Sequence, residues 1–270
     1  MKRARGLLVL GAVLLGVILM WGRLVDRMIF HPTAGADLRP EQVGLKGEDV
    51  FLQTEDGVRI HAFWLPAQGA TRALLFLHGN AGNASHRLPN AAQLVALEAH
   101  VLLLDYRGYG LSDGRPSEAG VYADARAGLA HLVETRGLEE NRIVVFGRSL
   151  GGAVAVDLVK DRNVAGLILE STFTSVADMI RSLLPPAAPF VRGRFDAESK
   201  IARLRAPLLF FHGDRDEIVP YALGQKLFEA APGPKAFETL DGAGHNDTTQ
   251  VGGRPYFERI RRFLDQAAPG

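Results

Sequence analysis

A short motif in the middle of the chain could present a serine hydroxyl for nucleophilic attack. Residues 147–151 read Gly-Arg-Ser-Leu-Gly, directly after an apolar run at 143–146 and directly before a helix-like stretch at 152–159. A serine on a sharp turn between a strand and a helix forms a nucleophile elbow, which lifts its hydroxyl above the end of the sheet. We expect glycines at the flanking positions because a Cβ there would collide with the neighbouring strand or helix. The motif predicts Ser149 as a nucleophile.

A serine hydroxyl needs a base to remove its proton, and later segments of the chain could supply that base and an orienting acid. His245 lies in a loop of small residues after the last predicted strand, where it could accept the Ser149 proton and return it to a leaving group. Asp216 follows an earlier strand and would keep one imidazole nitrogen protonated, with Asp214 and Glu217 as competing candidates. We expect Asp214 to brace the turn instead. The order serine, acid, histidine is the one that accompanies this type of elbow.

Acyl transfer also requires donors for the negative charge that develops on the attacked oxygen. The backbone N–H of Leu150 is one candidate because it follows the nucleophile directly. The N–H of Asn80 is the other, in a glycine-rich loop after an early strand. We expect His78 in the same loop, and His212 after a later strand, to bond to loop backbone rather than to take part in catalysis.

The elements that must position these residues are strands alternating with helices. Two strands at 48–54 and 58–65 read as an antiparallel hairpin at the sheet edge. The further predicted strands cover 73–77, 101–104, 143–146, 164–169, 207–211 and 235–240, and the predicted helices cover 85–99, 117–136, 221–231 and 255–267. Buried strands alternating with helices predict an α/β fold, with a mostly parallel sheet and helices on both faces. Loops at the carboxyl ends of such strands meet at one edge.

A long segment between two predicted strands, residues 170–206, carries no strand pattern and contains three prolines between 185 and 189. We expect a small cap insertion there, at the catalytic end of the sheet. Met179, Leu183 and Phe190 would give it an apolar underside, and with Tyr109 from an earlier loop they are the predicted substrate pocket. The alternative is a helical connection packed on the core.

The N-terminal residues carry a separate signal. An uncharged, mostly apolar run at 6–22 follows three basic residues and is about as long as the shortest membrane-spanning helices. We expect a retained single-pass anchor over 1–27, with a cleaved signal peptide or a peripheral helix as alternatives. Heavier positive charge before the run favours a cytoplasmic N-terminus and a catalytic domain on the non-cytoplasmic side of a bacterial inner membrane. Residues 28–47 would then be a juxtamembrane linker, and 48–270 the catalytic domain.

Composition argues against several classes of function. The 270 residues carry a net charge of +1 and no cysteine, which excludes a thiol nucleophile, a thiolate metal site and a disulfide. The aromatic residues do not interleave with basic stripes, so we expect no nucleic-acid partner. A glycine pair at 108 and 110 lacks the third glycine of a dinucleotide site, because Asp113 stands there. We therefore expect neither a cofactor nor a metal, and the sequence says nothing about oligomeric state.

Taken together, the motifs resemble the α/β-hydrolase superfamily. Within it the chain is similar to the membrane-anchored branch that includes alpha/beta-hydrolase domain-containing protein 13. The matching stretches are 78–83, 105–110, 147–152, 170–173 and 244–248. The resemblance implies an α/β-hydrolase fold, a triad of Ser149, Asp216 and His245, and an N-terminal anchor.

These residues predict a serine hydrolase that works through an acyl-enzyme. We expect carboxylic esters or thioesters as substrates, with small or lipid-like acyl groups, because a membrane anchor would hold the pocket near lipids. A serine peptidase or amidase uses the same triad and is the alternative enzyme. A non-catalytic, membrane-tethered scaffold on a hydrolase fold is the alternative of another class.

Overall fold

The computed structural model describes residues 24–191 and 193–269, and one eight-stranded sheet forms its centre. The sheet order is β10-β9-β8-β7-β4-β6-β3-β2, and β3 is antiparallel to both β2 and β6 while the other pairs are parallel. The strands are β2 (Glu48–Gln53), β3 (Arg59–Leu65), β4 (Ala73–Leu77), β6 (His100–Leu104), β7 (Ile143–Arg148), β8 (Gly166–Glu170), β9 (Leu208–Gly213) and β10 (Lys235–Leu240). The predicted α/β architecture with an antiparallel hairpin at one edge is confirmed.

Helices cover both faces of this sheet. The α-helices are α1 (Leu88–Val95), α2 (Glu118–Ala130), α3 (Leu150–Val159), α4 (Val176–Leu183), α5 (Glu198–Ile201), α6 (Tyr221–Ala230) and α7 (Thr248–Ala267). Shorter helical turns are Pro40–Val43, Ala84–Arg87, His131–Thr135, Glu140–Arg142 and Pro185–Val191. Alternate residues of β4 enter different hydrophobic clusters, Leu75 and Leu77 in one and Leu74 and Phe76 in the other. Side chains of a strand alternate between faces, so the apolar run of β4 is buried on both sides.

Two helices differ from their predicted bounds for identifiable backbone reasons. The predicted helix at 85–99 is a tight turn followed by α1, which ends at Val95, and Glu98 takes a φ of 60° that an α-helix does not allow. The last helix, α7, begins seven residues before the predicted 255 and is interrupted at Gly253, which has a φ of 50°. Glycine accepts this conformation without a Cβ clash, so the chain turns there before the helix continues.

The segment predicted to be a linker, residues 28–47, packs on the domain. His31–Pro32 forms a short strand, β1, that pairs in parallel with β5 (Ala81–Gly82) beside the predicted oxyanion loop. Phe30 is buried in the same hydrophobic cluster as Leu75. This segment is therefore part of the folded unit and supports the loop that follows β4.

Glu170, the first residue of the predicted insertion at 170–206, ends β8, and the described residues after it contain α4, α5 and a shorter helical turn but no strand. Met179 is half-buried against the hydrophobic core, and Phe195 is fully buried. The Phe195 ring lies edge-on to Phe30 and to Tyr122, with centroids 5.9 Å and 5.8 Å apart. The insertion is thus held along the core and against the segment that precedes β1.

The apolar run at 6–22 lies outside the described residues, which include only residues 24–27 of the membrane anchor predicted over 1–27. Within the described part of the chain, no helix combines the length and the apolar character that crossing a bilayer requires. The description begins with a helical segment at 24–29, where Asp26 forms an ion pair with Arg194 of the insertion. The chain that follows the apolar run at 6–22 is therefore held on the domain by an ion pair as well as by packing.

Candidate active site

Ser149 lies on the turn between β7 and α3, in a backbone conformation that L-residues rarely adopt. Its φ and ψ are 54° and −121°. Its N–H donates to the Glu170 carbonyl at 2.8 Å, and its carbonyl accepts from the Thr172 hydroxyl at 2.9 Å. These bonds to the end of β8 and the turn after it hold the strained turn in place.

The glycines around this turn are required by close approach of the backbone. A Cβ on Gly151 would stand 2.0 Å from the Leu77 carbonyl oxygen, at the end of β4. One on Gly147 would stand 2.4 Å from the Gly151 carbonyl oxygen, at the start of α3. Both separations are far inside van der Waals contact, so the predicted collision with strand and helix is confirmed.

Three side chains from separate loops form one chain of hydrogen bonds. Nε2 of His245 lies 3.2 Å from Oγ of Ser149, and Nδ1 lies 2.8 Å from Oδ2 of Asp216. With Nδ1–H donating to the carboxylate, Nε2 is left as the acceptor for the serine hydroxyl. The side chain of His245 is 8% exposed and that of Asp216 is 0% exposed, so solvent competes little with either bond.

The Asp216 carboxylate has a well-satisfied environment. Burial would raise its pKa, but hydrogen bonds first from His212 and then from His245 outweigh burial and hold the pKa of Asp216 below its usual range. Oδ1 accepts the backbone N–H groups of Ile218 and Val219 at 2.9 Å and 2.7 Å. The carboxylate is therefore ionised near neutral pH and fixed in orientation, an arrangement that could stabilise a protonated imidazole at His245.

The two competing acids have other contacts. Asp214 accepts the Gly242 N–H at 2.6 Å and braces that turn, as the sequence suggested. Glu217 accepts the backbone N–H of His245 at 3.2 Å, so it holds the loop rather than the imidazole. Among the described residues, Asp216 is the acid that faces Nδ1 of His245.

The two predicted oxyanion donors lie on either side of Ser149. Leu150 is the first residue of α3, so its N–H has no acceptor within that helix. The Asn80 carbonyl accepts from the His31 N–H at 3.0 Å and from the Tyr109 hydroxyl at 2.7 Å, while its side chain donates to the Ile29 carbonyl at 2.8 Å. These bonds hold Asn80 in the wall of the cleft that contains Ser149. The Gly79 carbonyl, which shares a peptide with the Asn80 N–H, lies 2.7 Å from Nδ1 of His78. The predicted donor is therefore held from both of its neighbouring peptides, as an oxyanion hole requires.

The other two strand-end histidines act on backbone, as expected. Nδ1 of His78 lies 2.7 Å from the Gly79 carbonyl oxygen, and the ring is fully buried. Nε2 of His212 lies 3.0 Å from the Val219 carbonyl oxygen and 3.4 Å from Asp216. His212, which lies within β9, thus braces the turn that carries Asp216, and its approach to that carboxylate was not predicted from the sequence.

The cleft above Ser149 differs from the predicted pocket. Its volume is about 100 Å³, and its lining residues are Gly79, Asn80, Ala81, Arg87, Arg148, Ser149, Ile218, His245 and Asn246. Tyr109 is buried and supports Asn80 from below instead of facing the cleft. Met179 packs on the core because the apolar side of α4 turns inward, and Phe190 lies on the insertion with 65% of its surface exposed. These placements correct the prediction for Tyr109, Met179 and Phe190; the side chain of Leu183 lies outside the described residues.

Sequence reasoning missed the charged pair beneath the elbow. Arg148 donates to the His245 carbonyl at 2.6 Å and forms an ion pair with Glu170, with Nε 2.9 Å from Oε1. Glu170 is fully buried and also accepts from the hydroxyls of Thr248 and Tyr256. This network joins the serine turn to the histidine loop. The sequence feature that could have indicated this network is the charged residue Arg148 directly before the predicted nucleophile.

Comparisons with known proteins agree with this architecture. Residues 68–195 match the family described as serine aminopeptidase, S33. The uncharacterized protein Rv2307c of Mycobacterium tuberculosis is 40% identical over 275 residues, which cover 99% of this chain and 98% of that protein. Alpha/beta hydrolase domain-containing protein WAV2 of Arabidopsis thaliana is 36% identical over 287 residues, 96% of this chain and 93% of that protein. The chain belongs to the α/β-hydrolase superfamily.

The match extends to solved structures of the superfamily. An esterase of Pyrococcus furiosus, PF2001, superposes with a TM-score of 0.75 at 22% identity, over 89% of this chain and 98% of that one. At that identity the likeness concerns the fold. The resemblance inferred from the sequence motifs is confirmed, and the site of this α/β hydrolase lies at the carboxyl ends of the parallel strands, as in open α/β sheets generally.

Proposed function

We propose that this protein is a serine hydrolase that cleaves carboxylic esters or thioesters through an acyl-enzyme. One observation carries the proposal: His245 lies within hydrogen-bond distance of both the Ser149 hydroxyl and the buried Asp216 carboxylate. A base that is oriented by a carboxylate and touches a hydroxyl activates that hydroxyl as a nucleophile. General-base help of this kind contributes about 10²–10⁴-fold to rate.

In the first half of the reaction, Nε2 of His245 takes the Ser149 proton as Oγ bonds to the substrate carbonyl carbon. The carbonyl oxygen becomes an oxyanion, for which the N–H groups of Leu150 and Asn80 are the donors. Asp216 stabilises the resulting imidazolium without taking its proton. The tetrahedral intermediate then collapses, the bond to the alcohol or thiol breaks, and His245 protonates the leaving group.

The second half repeats these roles with water. His245 takes a proton from a water molecule, whose oxygen attacks the acyl carbon of the Ser149 ester. The same two N–H groups face the second oxyanion, and its collapse returns the proton from His245 to Oγ. The products are a carboxylic acid and the free enzyme, and no redox partner or metal enters the balance.

A peptidase or amidase is the second candidate, because the family matched by residues 68–195 is described as a serine aminopeptidase. The same triad can cleave amides. Amides differ from esters in needing a protonated amine as leaving group. Substrate tests, rather than the triad, separate the two activities.

A panel of nitrophenyl esters of rising acyl length, run beside aminoacyl nitroanilides, tests the assignment. We expect ester hydrolysis, covalent labelling of the wild-type protein by a fluorophosphonate, and loss of both in Ser149→Ala. Hydrolysis of the anilides alone would replace the esterase assignment with a peptidase. A folded wild-type protein that neither reacts nor becomes labelled would instead be the non-catalytic scaffold.

We also propose that residues 6–22 anchor the protein in a membrane with the catalytic domain on the non-cytoplasmic side. The uncharged run and its basic flanks support this location, which would favour lipid-like acyl substrates. Protease added to intact spheroplasts should digest the domain. Protection of the domain, with digestion only after lysis, would show that the domain lies on the cytoplasmic side. Recovery of the protein in the soluble fraction would show that residues 6–22 do not anchor it.

A further inference from the structure

A second cleft adjoins the catalytic cleft and shares part of its wall. It has a volume of about 450 Å³, and Arg87, Arg148 and Asn246 line both clefts. A group bound there would therefore lie beside the reacting centre rather than at a remote surface. The remaining lining residues are His86, Pro89, Asn90, Gln93, Thr248, Thr249, Gln250 and Phe257.

The two shared arginines differ in how their charge is balanced. Arg148 pairs with the buried carboxylate of Glu170 and donates to the His245 carbonyl. Arg87 donates one hydrogen bond, from Nη2 to the Ala81 carbonyl at 2.9 Å. Among the described residues, no carboxylate lies within 4.0 Å of the Arg87 guanidinium. Arg87 is thus the unneutralised cation of this wall.

Arg87 is also incompletely hydrogen-bonded although it is half-buried. Its Nε is buried and has no hydrogen-bond partner among the described residues. Burial, and then repulsion from the Arg148 charge, lowers the pKa of Arg87 to about 10 against an opposing attraction to Glu170, and the guanidinium stays protonated near neutral pH. A buried donor without a partner costs free energy, and an anion that pairs with this guanidinium would offset part of that cost.

The rest of the cleft is neutral and rich in side chains that can hydrogen-bond. None of its lining residues is Asp or Glu, whereas Asn90, Gln93, Thr249 and Gln250 offer amides and hydroxyls. Such a wall does not repel an anion, and it has room for a group larger than a water molecule.

We propose that Arg87 is a specificity-determining residue that binds an anionic group of the ester substrate, a carboxylate, sulfonate or phosphate, in the cleft beside Ser149. The inference rests on the proposed hydrolase activity and narrows its substrate class. The guanidinium fork suits planar or tetrahedral anions, which it can hold through two parallel hydrogen bonds. An ester with this group on its acyl chain or on its alcohol would be aligned for attack by Ser149.

Matched pairs of substrates separate this role from catalysis itself. For the acyl side, the nitrophenyl monoester of adipic acid carries a free carboxylate, and nitrophenyl methyl adipate is its neutral partner. For the alcohol side, para-acetoxybenzenesulfonate is paired with para-acetoxybenzenesulfonamide. The quantity measured is the ratio of kcat/KM for the anionic ester to that for its neutral partner, in wild type, Arg87→Gln and Arg87→Lys.

We expect a ratio above one for at least one pair in the wild type. Arg87→Gln should lower that ratio about 10- to 100-fold, as the loss of a charge-assisted hydrogen bond implies, and Arg87→Lys should restore part of it. Arg203→Gln is the matched control: Arg203 pairs with Asp161 and does not line either cleft, so the ratio should stay within about twofold.

The outcomes distinguish the two proposals. If the wild type hydrolyses the neutral esters and Arg87→Gln leaves both ratios unchanged, the anion subsite is wrong and the hydrolase stands. If the wild type hydrolyses none of the four esters and no fluorophosphonate labels it, both proposals fail. If Arg203→Gln lowers the ratio as much as Arg87→Gln does, the general loss of positive surface charge explains both results, and the proposed anion subsite is wrong.

Discussion

The two sides of Ser149 are built differently. On one side, the Asp216 carboxylate accepts from two backbone N–H groups and from His245, and His212 lies 3.4 Å away. On the other, the Arg87 guanidinium makes a single hydrogen bond and leaves its buried Nε without a partner among the described residues. Both are charged groups close to the same serine. They differ in how much of their hydrogen-bonding capacity is used by the surrounding protein.

The difference indicates that hydrogen bonds within the fold satisfy the Asp216 carboxylate, whereas the Arg87 guanidinium has donors available to a ligand. A carboxylate whose acceptor positions are filled holds one orientation and needs no reorganisation during the reaction. A half-buried cation with unused donors gains when an anion enters. The acid side therefore belongs to catalysis, and the arginine side to recognition.

Removing the nucleophile should have the largest effect and should leave the recognition side intact. We expect Ser149→Ala to lower kcat for ester hydrolysis about 10⁵- to 10⁶-fold, because no other group can form the acyl-enzyme. Isothermal titration with adipate should still detect binding to this variant. Residual activity within a hundredfold of wild type would point to another nucleophile.

Substitution of the Asp216 carboxylate should have the second-largest effect on activity. Asp216→Asn removes the charge that orients His245, and we expect a loss in kcat of about 10⁴-fold near neutral pH. Asp214→Asn is the matched control, since Asp214 bonds to the Gly242 N–H and not to the imidazole. Equal losses in the two variants, each with a native circular dichroism spectrum, would contradict the assignment of Asp216.

The lowered pKa of Asp216 also makes a signed prediction for stability. A carboxylate with a depressed folded pKa stabilises the fold fully above its unfolded value, about 4, and loses that contribution as pH falls through the folded value. Wild type should exceed Asp216→Asn in free energy of unfolding at pH 7. Urea titrations should show the difference in free energy of unfolding between wild type and Asp216→Asn becoming smaller below about pH 4. A difference that grows as the pH falls would contradict a lowered pKa of Asp216.

Loss of the ion pair between Arg148 and Glu170 should lower the free energy of unfolding. Glu170→Gln removes the charge that neutralises Arg148, and leaving a buried cation unpaired costs about 3–5 kcal/mol. Glu258→Gln, which breaks an exposed pair with Arg254, should change the free energy of unfolding by about 0.5 kcal/mol or less. Denaturant titration measures both, and similar small changes would show that the buried pair carries little stability.

The smallest effect should come from the loop contact of Glu217. Glu217→Ala removes the acceptor of the His245 N–H, and we expect kcat/KM to fall about 2- to 10-fold. Glu217→Gln keeps an acceptor oxygen and should recover most of the loss. A loss as large as that of Asp216→Asn would show that Glu217 orients the imidazole after all.

Much of the fold could be predicted because its signals are local. The apolar runs of the central strands and the helical periodicity between them depend on neighbours in sequence, and the structure follows them closely. The elbow motif is equally local, since Gly147 is required by contacts with the helix that follows the turn, although Gly151 is required by the Leu77 carbonyl of the neighbouring strand β4. The bounds of α1 and α7 were less accurate because single backbone angles at Glu98 and Gly253 decide them.

The predicted pocket was wrong because burial of a helix face is a tertiary property. Met179 looked like part of an apolar underside, but the same apolar character packs it against the core. Tyr109 follows a strand end, as site residues do, yet its hydroxyl reaches the Asn80 carbonyl from within the fold. Arg87 could not be singled out, since nothing near it in sequence shows that it lacks an acidic partner.

The chemical types and their order can be read along the chain: a serine on a glycine-flanked turn, then an acid, then a histidine, each after a strand. Which acid touches His245, and which cation beside Ser149 has no ion-pair partner among the described residues, depend on the folded structure. The reason is distance along the chain. Ser149 and His245 are separated by 96 residues and His245 and Asp216 by 29, so their contacts depend on the order in which strands β7, β8, β9 and β10 lie across the sheet.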